Sequence, residues 1–152
     1  MTTHRVYRGI GVCRVVSSDD TNLVLEPITS LGTPPRIRIP RAHQDTMTRA
    51  VSTPDELEEV LDLLRQVPEP IPLAPWARRR RIYEDTLKEC EVAELAVLLR
   101  DLAGKPTLSH TERVLRDRLS SMIADEVQVG LGVDRHVALA LLAEAHITSM
   151  EH

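Results

Sequence analysis

Trp76 and the four arginines that follow it closely are the residues in this chain best suited to bind a ligand. Trp76 is the only tryptophan, and the chain has no phenylalanine and only two tyrosines. Guanidinium groups can hold phosphates, and a flat indole ring can wedge against bases or stack on them. This pattern favours nucleic-acid contact by Trp76, Arg78, Arg79, Arg80 and Arg81. The structural alternative is a tryptophan packed between two regions, beside arginines that form a solvated helix face.

Other kinds of functional site have little support in the sequence. It contains no GxSxG, HExxH or P-loop motif, so we expect no enzyme, no catalytic residue and no cofactor. The six histidines form no i, i+4 pair, and Cys13 and Cys90 lie far apart, so we also expect no metal site. Gly9-Ile10-Gly11 leads into no helical pattern and therefore predicts a turn or bulge instead of a nucleotide-binding loop.

Composition and charge set further bounds. A chain of 152 residues can form one domain or two small ones, and with an aromatic share of 2% its core must consist of aliphatic side chains. The net charge of −4 argues against a general polyanion binder, so any nucleic-acid contact needs a local basic patch. Two cysteines without pairing motifs, no apolar run of membrane-spanning length and no signal peptide predict a cytoplasmic protein without a membrane partner.

Residues 1–50 have the pattern of a small β domain. Apolar and β-branched residues form runs at 5–16 and 23–28, separated by a turn-rich segment at 17–22. A loop rich in glycine and proline at 29–35 leads to residues 36–40, where polar and apolar residues alternate as in a half-buried strand. Short strands with tight turns over such a length predict a small SH3- or Tudor-like barrel.

Residues 51–152 have the pattern of a compact all-α domain. Thr53 and Glu56 form a capping box, with Pro54 at the first helical position, and begin a helix over about 54–66. Four prolines make residues 67–75 a stiff connector. Further helices are expected at about 77–89, 92–103, 110–129 and 135–145. Gly104 ends the second of these, and a second capping box, Ser109 with Glu112, begins the third. The predicted fold class is therefore α+β, a small β-barrel followed by a helical domain.

Several motifs resemble those of the CarD/CdnL family of bacterial transcription regulators that bind RNA polymerase. The N-terminal module of that family is related to the polymerase-interacting domain of transcription-repair coupling factors. The resemblance covers nearly the whole chain and is strongest from Pro75 to Leu102. The matching residues are W-x-R-R at 76–79, V-x-x-x-A-x-x-x-R-D-L at 92–102, LS-x-x-E-R at 108–113, Val6-Tyr7 with Gly11, and R-I-P at 38–40. Arg8 and Ile10 stand where the family has proline and histidine.

The resemblance implies a role at promoter DNA for the helical domain. In the family this domain reaches the upstream edge of the melted region, where a tryptophan inserts into the minor groove and hinders closure of the bubble. Trp76 would be that wedge, with Arg78, Arg79, Arg81 and Arg113 holding phosphates. Arg80 belongs to the same basic cluster, at a position where the family does not require a basic residue.

The resemblance also implies a protein partner. In the family the β module docks on a lobe of the RNA polymerase β subunit, so residues 1–50 would be a polymerase-interacting domain and residues 51–152 a DNA-binding domain. Arg36, Arg38, Ile39 and Pro40 would lie in the polymerase interface. We accordingly expect a monomer that binds polymerase and promoter DNA, takes no small-molecule substrate, and is held at the nucleoid through the polymerase.

Two other functions remain open at this point. The helices at 109–129 and 134–145 flank a glycine-containing turn, as in a sequence-specific helix-turn-helix protein. The second of these helices, however, lacks the arginine, asparagine and glutamine side chains that read base edges. The other alternative is a protein–protein adaptor that makes no contact with DNA.

Overall fold

A computed structural model of the chain describes residues 3–29, 33–71 and 75–151. The strands are β1 (His4–Tyr7), β2 (Gly11–Ser18), β3 (Asn22–Pro27), β4 (Ile37–Pro40) and β5 (Thr48–Ala50). A 3-10 turn (Arg41–His43) and the short helix α1 (Gln44–Met47) lie between β4 and β5. The longer helices are α2 (Pro54–Arg65), α3 (Trp76–Glu89), α4 (Val92–Ala103), α5 (His110–Leu131) and α6 (Arg135–Met150).

The five strands form one antiparallel sheet in the order β4-β3-β2-β1-β5. The sheet curls into a half-barrel, with β4 and β5 as its two edges, and encloses a small core of Cys13, Leu23, Leu25 and Ile39. The predicted turn at Gly9-Ile10-Gly11 is confirmed, since the Ile10 amide donates to the Tyr7 carbonyl at 3.0 Å. The structure thus confirms a small β domain, and β5 is a strand that the sequence pattern did not reveal.

The helical region follows the predicted order. Both capping boxes are present, at Thr53 with Glu56 and at Ser109 with Glu112. α3 begins at Trp76, one residue before the predicted start, and α6 continues to Met150 instead of ending near 145. Residues 30–32 of the predicted loop and residues 72–74 of the predicted connector lie outside the described residues.

Gly104 ends α4 as predicted, but not through the left-handed backbone that usually favours glycine at the end of a helix. Its backbone is right-handed, with φ at −81°, so no left-handed conformation requires glycine there. Instead, a Cβ at this position would lie 2.4 Å from Cβ of Pro68. The glycine therefore allows the segment after α2 to pack closely against the end of α4.

The main core lies between α2, α4, α5 and α6. Its fully buried side chains include Leu57, Leu61, Leu95, Leu119 and Ile123. Val6 and Val12 of the sheet belong to the same cluster, so the β domain shares a core with the helices. α3 lies at the periphery, where Tyr83 is its one buried side chain among the described residues.

Charged contacts join the sheet to the helices at this junction. Arg49 of β5 donates to both carboxylate oxygens of Glu126 in α5, each at 2.7 Å, and the Ser52 amide donates to the same carboxylate at 2.9 Å. Arg8 forms an ion pair with Glu91 at 2.7 Å. Arg118 of α5 donates to the carbonyl of Gly9 at 2.6 Å. These contacts set the position of the β domain against the start of α4 and the middle of α5.

Candidate nucleic-acid interface

Trp76 lies at the exposed N-terminal end of α3. It is the first residue of the helix, which Pro75 precedes without any side-chain cap, and 39% of Trp76 is exposed. A tryptophan held for packing between two domains would be buried. This exposure agrees with a contact surface and disagrees with the packing alternative.

Two side chains of α3 support the indole ring. Residues 76, 79 and 83 have i, i+3 and i+7 spacing, which places them on one face of the helix. The Arg79 guanidinium carbon lies 5.3 Å from the centroid of the Trp76 ring, within the range of a cation–π contact. The Tyr83 ring meets the indole edge-on, with centroids 6.3 Å apart and planes at 64°. The ring is thus supported from the helix while a large part of it faces solvent.

Arg79 differs from the other arginines of the cluster. Only 24% of its side chain is exposed, and Nη1 lies 3.7 Å from Oε2 of Glu112. Its Nε is buried, and no described residue forms a hydrogen bond with it. The guanidinium therefore lies between the indole ring and a carboxylate, and it is less available for phosphate than its neighbours.

Glu112 is a buried carboxylate at the start of α5, with 4% of its side chain exposed. Oε2 accepts from the Tyr83 hydroxyl at 3.1 Å and from Nζ of Lys105 at 2.6 Å. Burial raises the pKa of this carboxyl, but the hydrogen bonds from Lys105 and the Ser109 amide outweigh it and leave the pKa below its usual range. For Tyr83, burial and then the Glu112 charge raise the pKa above its ordinary value.

Sequence reasoning identified Glu112 as a capping residue and as part of a family motif, but gave it no role beside Trp76, and it did not select Tyr83. Tyr83 could have been found from its i+7 spacing to Trp76, which predicts a shared helix face. No sequence signal marks the contact of Glu112 with α3. Tyr83 and Glu112 are 29 residues apart in the chain, so their contact depends on how α3 and α5 pack together.

The remaining predicted DNA contacts are on the surface. Arg78, Arg81 and Arg113 are exposed, and in the described part of the chain none of them forms an ion pair. Arg80 is also exposed, but its Nε lies 2.8 Å from Oε1 of Glu84, one helical turn away. Its charge is therefore partly balanced within α3.

A groove of about 400 Å³ lies between the first half of α3 and the start of α5. Trp76 and Arg80 line it on one side, and Thr111, Val114 and Arg118 line it on the other. Arg113 lies in the same first turns of α5. The structure thus brings Trp76 and the arginines of α3 next to the helix that carries Arg113.

The residues predicted to meet polymerase lie on or beside the edge strand β4. Arg38 and Pro40 are exposed, and Arg36 is exposed with its Nε 3.1 Å from Oε1 of Glu26. Ile39 is fully buried in the β core. Its side chain cannot contact a docked partner, and it can serve the interface only by holding the strand that presents Arg38.

The structure gives little support to DNA recognition by a helix-turn-helix motif. α6, which would be the recognition helix, exposes Val137 and Leu139, and its one arginine bonds to Asp125 of α5.

Among the described residues, no cluster of three or more histidine, cysteine or acidic side chains could hold a metal ion. Within the same ranges, no helix combines the length and the apolar character that crossing a membrane requires.

Comparison with known proteins identifies the helical region. The family model described as CarD, C-terminal domain, matches residues 59–143, which include Trp76, the arginine cluster, Glu112 and Arg113. A search of curated proteins gave no match. Because the matched region is more than half of the chain, the protein belongs to the CarD family.

Proposed function

We propose that this CarD-family protein regulates transcription by docking its β domain, as a Tudor-like module, on the β-subunit lobe of bacterial RNA polymerase and contacting promoter DNA with its helical domain. Trp76 inserts into the minor groove at the upstream edge of the bubble and slows its closure. The observation that carries this proposal is the exposed indole ring, supported from behind by Arg79 and Tyr83 and flanked by the exposed Arg78 and Arg81.

The geometry around Trp76 suits insertion into DNA. An apolar side chain placed between base steps opposes restacking by a few kcal/mol, provided that it is held while the DNA moves. The contacts with Arg79 and Tyr83 hold the indole on the protein side. Arg78 and Arg81 can hold the backbone beside the ring without reading the sequence.

The charge distribution suits a protein that reaches DNA through the polymerase. The basic cluster at the start of α3 contrasts with α2, whose exposed residues include Asp55, Glu56, Glu58, Glu59 and Asp62. With a net charge of −4, the protein would bind free DNA weakly. Docking on polymerase raises the effective concentration of the helical domain at the promoter, so a small basic patch is enough there.

Replacing both Arg78 and Arg81 with alanine should weaken the salt dependence of the DNA-dependent step. Each phosphate contact releases counterions and contributes about 0.9 to the slope of log affinity against log salt on duplex DNA. Losing two contacts should therefore lower that slope by about 1.8, similarly at different promoters. The measurement is polymerase–promoter complex formation with this protein over a salt series.

The control for this experiment is a variant with Arg65 and Lys88 replaced by alanine. It changes the net charge equally but alters residues at the ends of α2 and α3, away from Trp76. Its slope should equal that of the parent. An unchanged slope in the Arg78 and Arg81 variant would show that these arginines only solvate the helix.

Arg38→Glu should weaken binding to the polymerase β-subunit lobe without loss of the fold. Arg38 is exposed on an edge strand whose alternate residue, Ile39, is buried in the core. A surface charge change of this kind rarely costs more than about 0.5 kcal/mol of stability. Co-elution with the isolated lobe and thermal melting measure the two effects, with Lys88→Glu on α3 as the control. Equal co-elution of Arg38→Glu and the parent would remove Arg38 from the interface.

A further inference from the structure

We infer that Glu112 is a positioning residue for Trp76, and that its carboxylate fixes the indole ring through Arg79 and Tyr83. The inference rests on the proposed function, in which the ring acts as a wedge. A single side chain of α5 would thereby control the orientation of a contact surface on α3. Lys105, at the start of the loop between α4 and α5, completes the set of charged groups around this carboxylate.

The contacts form one continuous path from Glu112 to the indole. Oε2 of Glu112 accepts from the Tyr83 hydroxyl at 3.1 Å, and Tyr83 meets the edge of the Trp76 ring. The same oxygen lies 3.7 Å from Nη1 of Arg79, whose guanidinium lies over the face of that ring. Both side chains that touch the indole therefore contact one carboxylate oxygen.

The first half of α3 has few other contacts to fix it. Tyr83 is the one buried side chain of the helix within the described ranges, and Pro75 gives the helix start no side-chain cap. The C-terminal end is held separately, where Arg8 and Arg49 donate to the carbonyls of Glu89 and Cys90. The orientation of the Trp76 end therefore depends on the bond from Tyr83 to Glu112.

The charge of Glu112 matters as well as its hydrogen bonds. Arg79 is partly buried, and its Nε has no hydrogen-bond partner among the described residues. The Glu112 carboxylate and the Trp76 ring, together with the neighbouring Tyr83 hydroxyl, therefore favour its position. A neutral amide at position 112 has a single acceptor oxygen, which can still accept from the Ser109 amide in place of Oε1. Its NH2 group would then face the Tyr83 hydroxyl, which can accept, but the amide would not attract Arg79. Arg79 would then turn toward water, and one face of the Trp76 ring would lose its support.

Glu112→Gln is the first test, and Trp76 itself is the probe because it is the only tryptophan. In the free variant we expect a larger fast component in the anisotropy decay of Trp76 fluorescence and stronger quenching by acrylamide. With polymerase at a promoter, we expect the open-complex lifetime to fall by about twofold to fivefold, as loss of an exposed cation–π contact implies. The matched control is Glu56→Gln, which alters the other capping box at the start of α2.

Arg79→Gln supplies a second test that leaves the Glu112 capping box intact. It should increase Trp76 motion as Glu112→Gln does, and the double variant should add little, because the two residues act through one contact. This comparison also covers the case in which Glu112→Gln fails to fold.

The outcomes separate this inference from the proposed function. Unchanged anisotropy decay in the folded variants would overturn the positioning role, even if Trp76 still contacts DNA. Equal motion in Glu112→Gln and Glu56→Gln would overturn it too, because the effect would then come from a general loosening of the structure and not from the contacts of Glu112 with Arg79 and Tyr83. A mobile ring with the predicted fall in open-complex lifetime would support it. A mobile ring with an unchanged lifetime would contradict Trp76 as the wedge while leaving its support by Glu112 in place.

Discussion

Replacing Glu126 with alanine should destabilise the protein by about 3–5 kcal/mol, the typical cost of breaking a buried ion pair by removing one partner. Only 3% of the Glu126 side chain is exposed, and its carboxylate accepts two hydrogen bonds from Arg49 and one from the Ser52 amide. The variant would leave the Arg49 guanidinium, which is 12% exposed, without this partner at the junction between sheet and helices. Equilibrium unfolding in urea measures the change.

Two comparisons sharpen this prediction. Glu91→Ala removes a carboxylate that is 48% exposed, pairs with Arg8 and lies 4.0 Å from Nε of Arg49, so it should cost at most about 1 kcal/mol. Replacing Arg49 with methionine and Glu126 with leucine together should cost less than Glu126→Ala, because no uncompensated charge stays buried. If Glu126→Ala unfolds at the same urea concentration as Glu91→Ala, the junction does not depend on this ion pair.

Local signals explain which elements the sequence predicted well. The two capping boxes and Pro54 fix the starts of α2 and α5, because the residues that satisfy the first amides are adjacent in the chain. α6 was predicted five residues too short, and its extension depends on distant contacts. The Ser149 hydroxyl donates to the carbonyl of Gln66 at 2.7 Å, and Ala145 is buried in the core.

The difference between local signals and distant contacts also explains what the sequence predicted for β5 and for the candidate site. β5 has three residues and pairs with β1 across more than 40 positions of the chain, so no local alternation of polar and apolar residues predicts it. Arg78, Arg80 and Arg81 are exposed, as consecutive charged residues at the start of a peripheral helix favour. Arg79 differs from them because it is partly buried beside Glu112. The sequence could not show this, since Glu112 contacts α3 only when α3 and α5 pack together.

Trp76→Ala should leave the fold nearly intact. The substitution removes a cation–π contact and an edge-to-face contact, which together amount to about 1–2 kcal/mol for a partly exposed ring. For a domain of this size, about 1 kcal/mol corresponds to about 2–4 °C in melting temperature. A tryptophan held for core packing would cost about 3–5 kcal/mol instead. Thermal melting distinguishes these two cases.

The same variant should shorten the lifetime of the promoter open complex by about tenfold or more, because an inserted ring opposes restacking by a few kcal/mol. Binding to the polymerase lobe should not change, since that contact is proposed for the β domain. Ile82→Ala is the matched control, because Ile82 is a large apolar residue of α3 that is 51% exposed and does not support the indole. If Trp76→Ala melts far below the parent while its folded fraction gives the parental open-complex lifetime, Trp76 is a packing residue and the wedge mechanism is wrong.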